Sequence, residues 1–168
     1  MLINVTDGAR VTENTTREQA EALGYTKAQI ADAMKAAAKS HVVGFAEDYR
    51  AKLASTSAGK LAEYRIKEEI ARDRENASEA ELALISREAK ARGTNRTGLL
   101  NDIAEQAAAY RQIALLIGAL EAEANAAIST IPDDAADIEA QIQTVLEAAK
   151  AQAETAFAEA LALINGGS

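Results

Sequence analysis

The chain has no cysteine and no tryptophan, one proline, one histidine and only 4% aromatic residues. Each scarcity closes off some chemistry. Without cysteine there is no disulfide, no thiolate metal site and no sulfur nucleophile. His41 alone cannot supply the several imidazoles that a histidine-based metal centre uses, so no metal or other cofactor is expected. With Pro132 the sole proline, long helices can run uninterrupted everywhere except around that residue. The glycines are scattered toward helix ends and form no phosphate-cradling loop. The longest apolar run, from Ile113 to Leu120, is far too short to span a bilayer. The N-terminus, Met1-Leu2-Ile3-Asn4-Val5, has neither a basic region nor an apolar signal core, so a cytoplasmic origin and no membrane partner are expected.

What is present is alanine, in nearly every segment, within a chain of 168 residues that is 48% hydrophobic and 26% charged. This composition favours long helices packed closely on small side chains. The net charge of −8 is unevenly spread. Residues 1–59 carry seven basic and seven acidic side chains, residues 60–111 ten of each, and residues 112–168 nine acids against Lys150 alone. Binding to nucleic-acid phosphates needs clustered Lys and Arg, which that last region lacks, so no nucleic-acid partner is expected. An acidic region favours solubility or a basic partner.

Fold class follows from the pattern along the chain. Asp7-Gly8 between β-prone flanks is a two-residue hairpin signal, so residues 1–14 are expected to form a β-hairpin or an extended arm that pairs with another chain. Thr16 with Gln19, Thr26 with Gln29, and Ser78 with Glu81 are capping boxes that open helices. The second of these helices is expected to run from Lys27 to Leu53, with Ile30, Met34, Ala37, His41, Gly44, Phe45 and Tyr49 on one face, and to end in Ser55-Thr56-Ser57-Ala58-Gly59. A third helix is expected over residues 60–72, and a fourth from Ser78 to Arg92, with Gly93 as its stop. Two long helices then follow, about 98–130 and 134–164, separated at Ile131-Pro132-Asp133.

In the last helix Ile138, Ile142, Val145, Ala149, Gln152, Ala156, Ala160 and Leu163 alternate spacings of three and four, a coiled-coil seam. The expected architecture is therefore all-α: a helical bundle with a long C-terminal antiparallel coiled-coil-like hairpin and a short N-terminal β-hairpin or arm. The parts are 1–14, a helical segment at 15–93 and the hairpin at 94–168, together one domain from which the hairpin protrudes.

Candidate sites are few. His41 among Ala38, Val42 and Phe45 reads as a structural or surface histidine, since no Ser/Asp arrangement accompanies it. Glu68-Glu69 with Arg65, Lys67 and Arg72, and Glu88 with Arg87 and Lys90, read as helix-face ion pairs spaced three or four apart. Arg87, Lys90, Arg92 and Arg96 could meet an acidic surface, or simply complement helix dipoles. Gly118 with Ala122 has the small-xxx-small spacing that permits close helix approach. No catalytic residue emerges, and an enzyme is not expected. The apolar faces are wider than a two-helix hairpin can cover, and Leu2, Ile3, Val5, Val11, Ile113, Leu116, Leu120, Leu146, Phe157 and Leu161 are the candidate partner-binding residues.

The stretch Lys60-Leu61-Ala62-Glu63-Tyr64-Arg65-Ile66-Lys67-Glu68-Glu69-Ile70-Ala71-Arg72, then Ser78 to Gly93 and Ala107-Ala108-Ala109-Tyr110-Arg111, resembles small helical proteins encoded among the structural genes of tailed bacteriophages and related particles. The likeness covers about residues 58–165 and is one of style, with no functional residue to carry over. It implies a virion component or an assembly accessory, not an enzyme, assembled in the bacterial cytoplasm; the expected partners are other structural proteins of the particle, and the broad apolar faces make further copies of itself a candidate partner. The other readings are a cytoplasmic assembly chaperone for a tail or fibre protein, and a non-viral helical adaptor or granule-surface protein.

Overall fold

The structure, a computed structural model, describes residues 1–53 and 58–166. It is 75% helical, with a small antiparallel hairpin at the N-terminus. The elements among the described residues are strands β1 (Ile3–Thr6) and β2 (Val11–Thr15) and helices α1 (Arg17–Ala22), α2 (Lys27–Leu53), α3 (Ala58–Arg72), α4 (Glu79–Ala91), α5 (Arg96–Thr130) and α6 (Ile138–Gly166). By contact the chain divides into two compact units, one of Met1–Arg50 with Leu116–Ala156, the other of Ala51–Leu115 with Phe157–Ser168.

In the first unit the hairpin pairs within the chain. Its turn is centred on Gly8-Ala9, one residue later than the Asp7-Gly8 expected, and Asp7 N–H closes it by donating to Arg10 O at 3.2 Å. Only Gly8 takes a positive φ, of 88°, and Asp7 does not. The Asp7 carboxylate accepts hydrogen bonds from the backbone N–H groups of Ala9 (3.1 Å) and Arg10 (2.8 Å), which hold the turn from its first residue. Ile3 pairs with Thr15 but Val5 with Thr12, so β2 carries one extra residue. Asn14 absorbs this bulge at φ 52°, its N–H donating to Asn4 Oδ1 at 2.9 Å. The result keeps Ile3, Val5 and Thr15 buried together.

Both ends of α1 follow local chemistry. Thr16 and Gln19 form the reciprocal capping box, and Gly24 at φ 87° lets the chain leave the helix. Thr26 and Gln29 repeat the box at the start of α2. Helix α2 has the expected bounds but not the expected face. Ile30, Met34, Ala38, Val42, Ala46 and Tyr49 are buried, whereas His41 and Gly44 are exposed. Spacings of four advance the buried stripe by about 40° each time, so it winds around the helix instead of following a three-four seam.

Pro132 ends α5 as expected, but Asp133 and Asp134 do not open the next helix. Two turns follow, with Ala135 N–H donating to Pro132 O and Ile138 N–H to Ala135 O, and α6 begins at Ile138. Asp133 is drawn instead to Lys35, 2.5 Å away on α2. The core of this unit joins Ile3 and Val5 from the hairpin to Ile30 and Met34 of α2, Ile128 of α5, and Ile138 and Ile142 of α6.

In the second unit Ser78 and Glu81 cap α4 as a box, and Gly93 at φ 74° follows its C-terminus. The next helix starts at Arg96, two residues earlier than expected, because Asn95 caps it through Oδ1, which accepts from Gly98 N–H at 2.8 Å. Ile70, Ala71, Ile85, Ala89, Leu99 and Leu100 form this unit's core. Residues 55–57 of the expected break after α2 lie outside the described residues, and Ala58 and Gly59 belong to α3.

Ile128 is fully buried, whereas Leu115 is 76% exposed. Ile128→Ala should therefore cost about 2–5 kcal/mol in denaturant unfolding, and Leu115→Ala less than about 0.5 kcal/mol.

Candidate functional site

Three places in the fold could carry chemistry: the ionic clusters, the cavities and the exposed apolar faces. The ionic cluster of α3 and α4 centres on Lys67, whose ammonium lies 2.5 Å from Glu63 and 2.6 Å from Glu88. Glu88 also meets Arg92 at 2.6 Å. Lys67 is only 13% exposed. The hydrogen bond from Lys67, ahead of the charges of Lys67 and Arg92, holds the Glu88 carboxyl below its ordinary range despite some burial. Burial alone would lower Lys67, but its bonds to Glu63 and Glu88 outweigh it and the ammonium is raised. Beside it, Arg111 of α5 donates to Glu68, which Arg72 also approaches. Every carboxylate here is matched by a cation, so the cluster ties helices together and offers no free acid or base. Arg87, Lys90 and Arg96 make no ion pair among the described residues.

His41 is exposed, its ring 6.4 Å from that of Phe45. Among the described residues no group of three or more His, Asp or Glu side chains could hold a metal. An apolar cavity of about 30 Å³ in the first unit is lined by Phe45, Tyr49, Ile117, Leu120, Ala149 and Ala153. A second, more polar one of about 80 Å³ lies beside Met34, Lys27, Asp133 and Asp134. Both are of a size for a few waters, well under the several hundred Å³ of a small-molecule site.

The apolar surface is more distinctive. Of the residues that the sequence offers to a partner, Ile3, Val5 and Ile113 are instead buried, because one face of the hairpin and one stripe of α5 turn inward. Leu120, Leu146 and Phe157 are half-buried, and Leu161 lies outside the residues whose side chains are described. Leu2, Val11 and Leu116 are exposed. The largest exposures outside those candidates are Leu115 and, at 66%, Leu84. The sequence offered no signal for the Leu115-Leu116 pair, since Leu99-Leu100 is the same doublet on the same helix and both of its members are buried.

Leu115 sits on a broad uncharged face. Ala108 and Gln112 precede it and Ala119, Ala122 and Ala126 follow it at spacings of three and four, and all are exposed. Only 22% of the most apolar 18-residue stretch of α5 is buried. By length and composition α5 as a whole could cross a membrane, a possibility that the short run from Ile113 to Leu120 does not convey. Against that use, Glu121 of α5 is bound 2.6 Å from Arg50, and Glu123 lies on the same helix.

The pH dependence of the ionic cluster has a definite sign. Because the folded Glu88 carboxyl sits below its ordinary 4.5, its contribution is present above that pH and lost as pH falls through the folded value. Lowering the pH below that ordinary value should cost stability through this group, an acid sensitivity that Glu88→Gln removes, read by urea unfolding at each pH. No protein-family model, curated protein or solved structure matches this chain.

Proposed function

We propose that the chain is a non-enzymatic structural component of a tailed bacteriophage or phage-like particle that works by packing helices against other proteins of the particle and against its own copies. One observation carries the packing role: little of the most apolar part of a 35-residue helix is buried. Scattered apolar residues on a surface are ordinary, but a continuous uncharged helix face marks an interaction site. The particle context rests on the resemblance of residues 58–165 to helical phage structural proteins.

In this reading the last third works as an antiparallel coiled-coil-like hairpin. Its support is the seam of α6, where Ile138 and Ile142 are buried and Val145, Ala149 and Ala156 half-buried, while Gln152 turns out to solvent beside half-buried Ala153. The acidic outer face keeps the arm soluble and repels like neighbours except where a partner is built to meet it. The first twelve residues are less suited to an anchoring arm that pairs with another protein, since Ile3 and Val5 belong to the chain's own core. Deleting them would remove core side chains and test folding more than anchoring.

The same exposed face would serve an assembly chaperone that holds a tail or fibre protein, and one measurement separates the two. Mass spectrometry of purified particles should find this chain at a fixed stoichiometry. Its absence from particles, with normal abundance in the producing cell, would sink the structural role in favour of the chaperone.

A further inference from the structure

We infer that the outer edge of β1 is a pairing site for the same strand of a second copy, antiparallel and centred on Asn4, so that two hairpins join into one four-stranded sheet. The inference shares with the function proposed above only the naming of a second copy as partner, and it does not depend on the particle.

The free edge follows from the ladder. Asp7 N–H donates to Arg10 O, and the pairs Thr6 with Val11 and Val5 with Thr12 continue the same register. Along an antiparallel strand, successive residues turn their backbone groups alternately toward the partner strand and away from it. Asp7 and Val5 therefore face β2, while Asn4 and Thr6 turn their N–H and C=O groups outward, where no third strand pairs among the described residues. Outside the ladder, no hydrogen bond among the described residues reaches these four groups. Such a row is a template for another strand, and proteins commonly guard it with charged side chains, proline or a bulge. The two edges of this hairpin differ in that respect. On β2 stand the exposed Glu13 and the bulge at Asn14. From Met1 to Thr6 there is no charged side chain and no proline, and the extra residue of the bulge belongs to the other strand. Ile3 and Val5 keep their places in the core, so β1 can pair outward without leaving its own chain.

The occupant follows from the register. Centring on Asn4 sets Leu2 of each copy opposite Thr6 of the other and Asn4 opposite Asn4. This register overlaps residues 2–6 completely and puts all their outward groups in hydrogen-bonded positions. About a two-fold axis each of these contacts is made twice. By strand alternation Leu2, 60% exposed, shares the outer sheet face with Asn4 and Thr6, and pairing lays it against Thr6 of the other copy. Asn4 supplies the central contact. Its Oδ1 accepts from Asn14 N–H at 2.9 Å, and its Nδ2 makes no hydrogen bond among the described residues. Across the axis each Nδ2 meets the other copy's Oδ1, which has a second lone pair to accept it. A foreign strand could satisfy the backbone but would have to bring its own complement to Asn4. A second copy brings that complement by symmetry.

Sedimentation equilibrium of the full chain should show a monomer–dimer equilibrium at high micromolar concentration, since one short strand pair is at the small end of specific interfaces. Asn4→Lys and Asn4→Glu each set two like charges opposite each other on the axis, so either alone should weaken association by about threefold or more. An equal mixture of the two should recover the dimer, because the charges are then opposite in sign. Both variants lose the bond to Asn14 alike, and unchanged helical circular dichroism separates weakened pairing from misfolding. Leu2→Pro keeps that bond and removes one outward N–H from each copy without touching the ladder, so it too should weaken association. A chain that stays monomeric up to about millimolar concentration overturns the inference. So does a dimer that Asn4→Lys and Leu2→Pro leave undiminished, or a mixture of the two Asn4 variants that recovers nothing. A confirmed dimer that is absent from purified particles would leave this inference standing and remove the virion role alone.

Discussion

Alanine makes a stable helix and offers almost nothing to bury, and that constraint governs the molecule. A methyl group removes little apolar area from water, so stability rests on the few larger side chains placed where helices cross. In the first unit these are Ile3, Val5, Ile30, Met34, Ile128, Ile138 and Ile142, and in the second Ile70, Ile85, Leu99 and Leu100. The alanines between them let helices approach closely and set the spacing. The hairpin is a working part of this arrangement. Its two strands would be marginal alone, and it persists because Ile3 and Val5 complete a core that α2, α5 and α6 leave open.

How much of this was legible in the sequence depends on the range of the physics involved. Capping boxes act over three residues, and Thr16-Gln19, Thr26-Gln29 and Ser78-Glu81 all form where the sequence places them. Gly24 and Gly93 end helices through their own backbone freedom. Features decided by distant partners were not legible. The start of α6 lies at Ile138 and not at Asp134: the backbone takes two turns there, and Asp133 meets Lys35, 98 residues away in the chain. The buried face of α2 follows Ala38, Val42 and Ala46, because an alanine is apolar enough for either side and only the neighbouring helices choose. In an alanine-rich chain the hydrophobic pattern is therefore less informative than usual about facing, though not about helix content.

The candidate site shows the same division. That Glu68 faces Arg72 on one helix was readable from spacing, but Glu88 takes Lys67 and Arg92 in place of the expected Arg87 and Lys90, and neither the depth of Lys67 nor the reach of Arg111 to Glu68 was legible. The contacts of Lys67 with Glu88 and of Arg111 with Glu68 cross between helices, and a spacing rule sees only one helix at a time. The acids of the last third divide likewise. Glu121, Asp133 and Glu139 are matched by Arg50, Lys35 and the N-terminal amine, all from the first fifty residues. Much of what reads as surplus charge thus stitches the C-terminal helices to the N-terminal part of the same unit.

Helix α5 is where the alanine constraint leaves an unbalanced account. Near its start Leu99 and Leu100 enter one core, and near its end Ala124 and Ile128 enter the other. Between them Ile113 and Ile117 turn inward, while Leu115 and Leu116 turn out. A helix that only needed to connect two cores could carry glutamate and lysine on that outer face and gain solubility along with a few tenths of a kcal/mol per ion pair. This one carries leucine, alanine and a glycine with open space above it, choices that neither core requires. Such residues raise the free energy of the chain alone in water and lower it once the face is covered. The packing role proposed above would put this face to use.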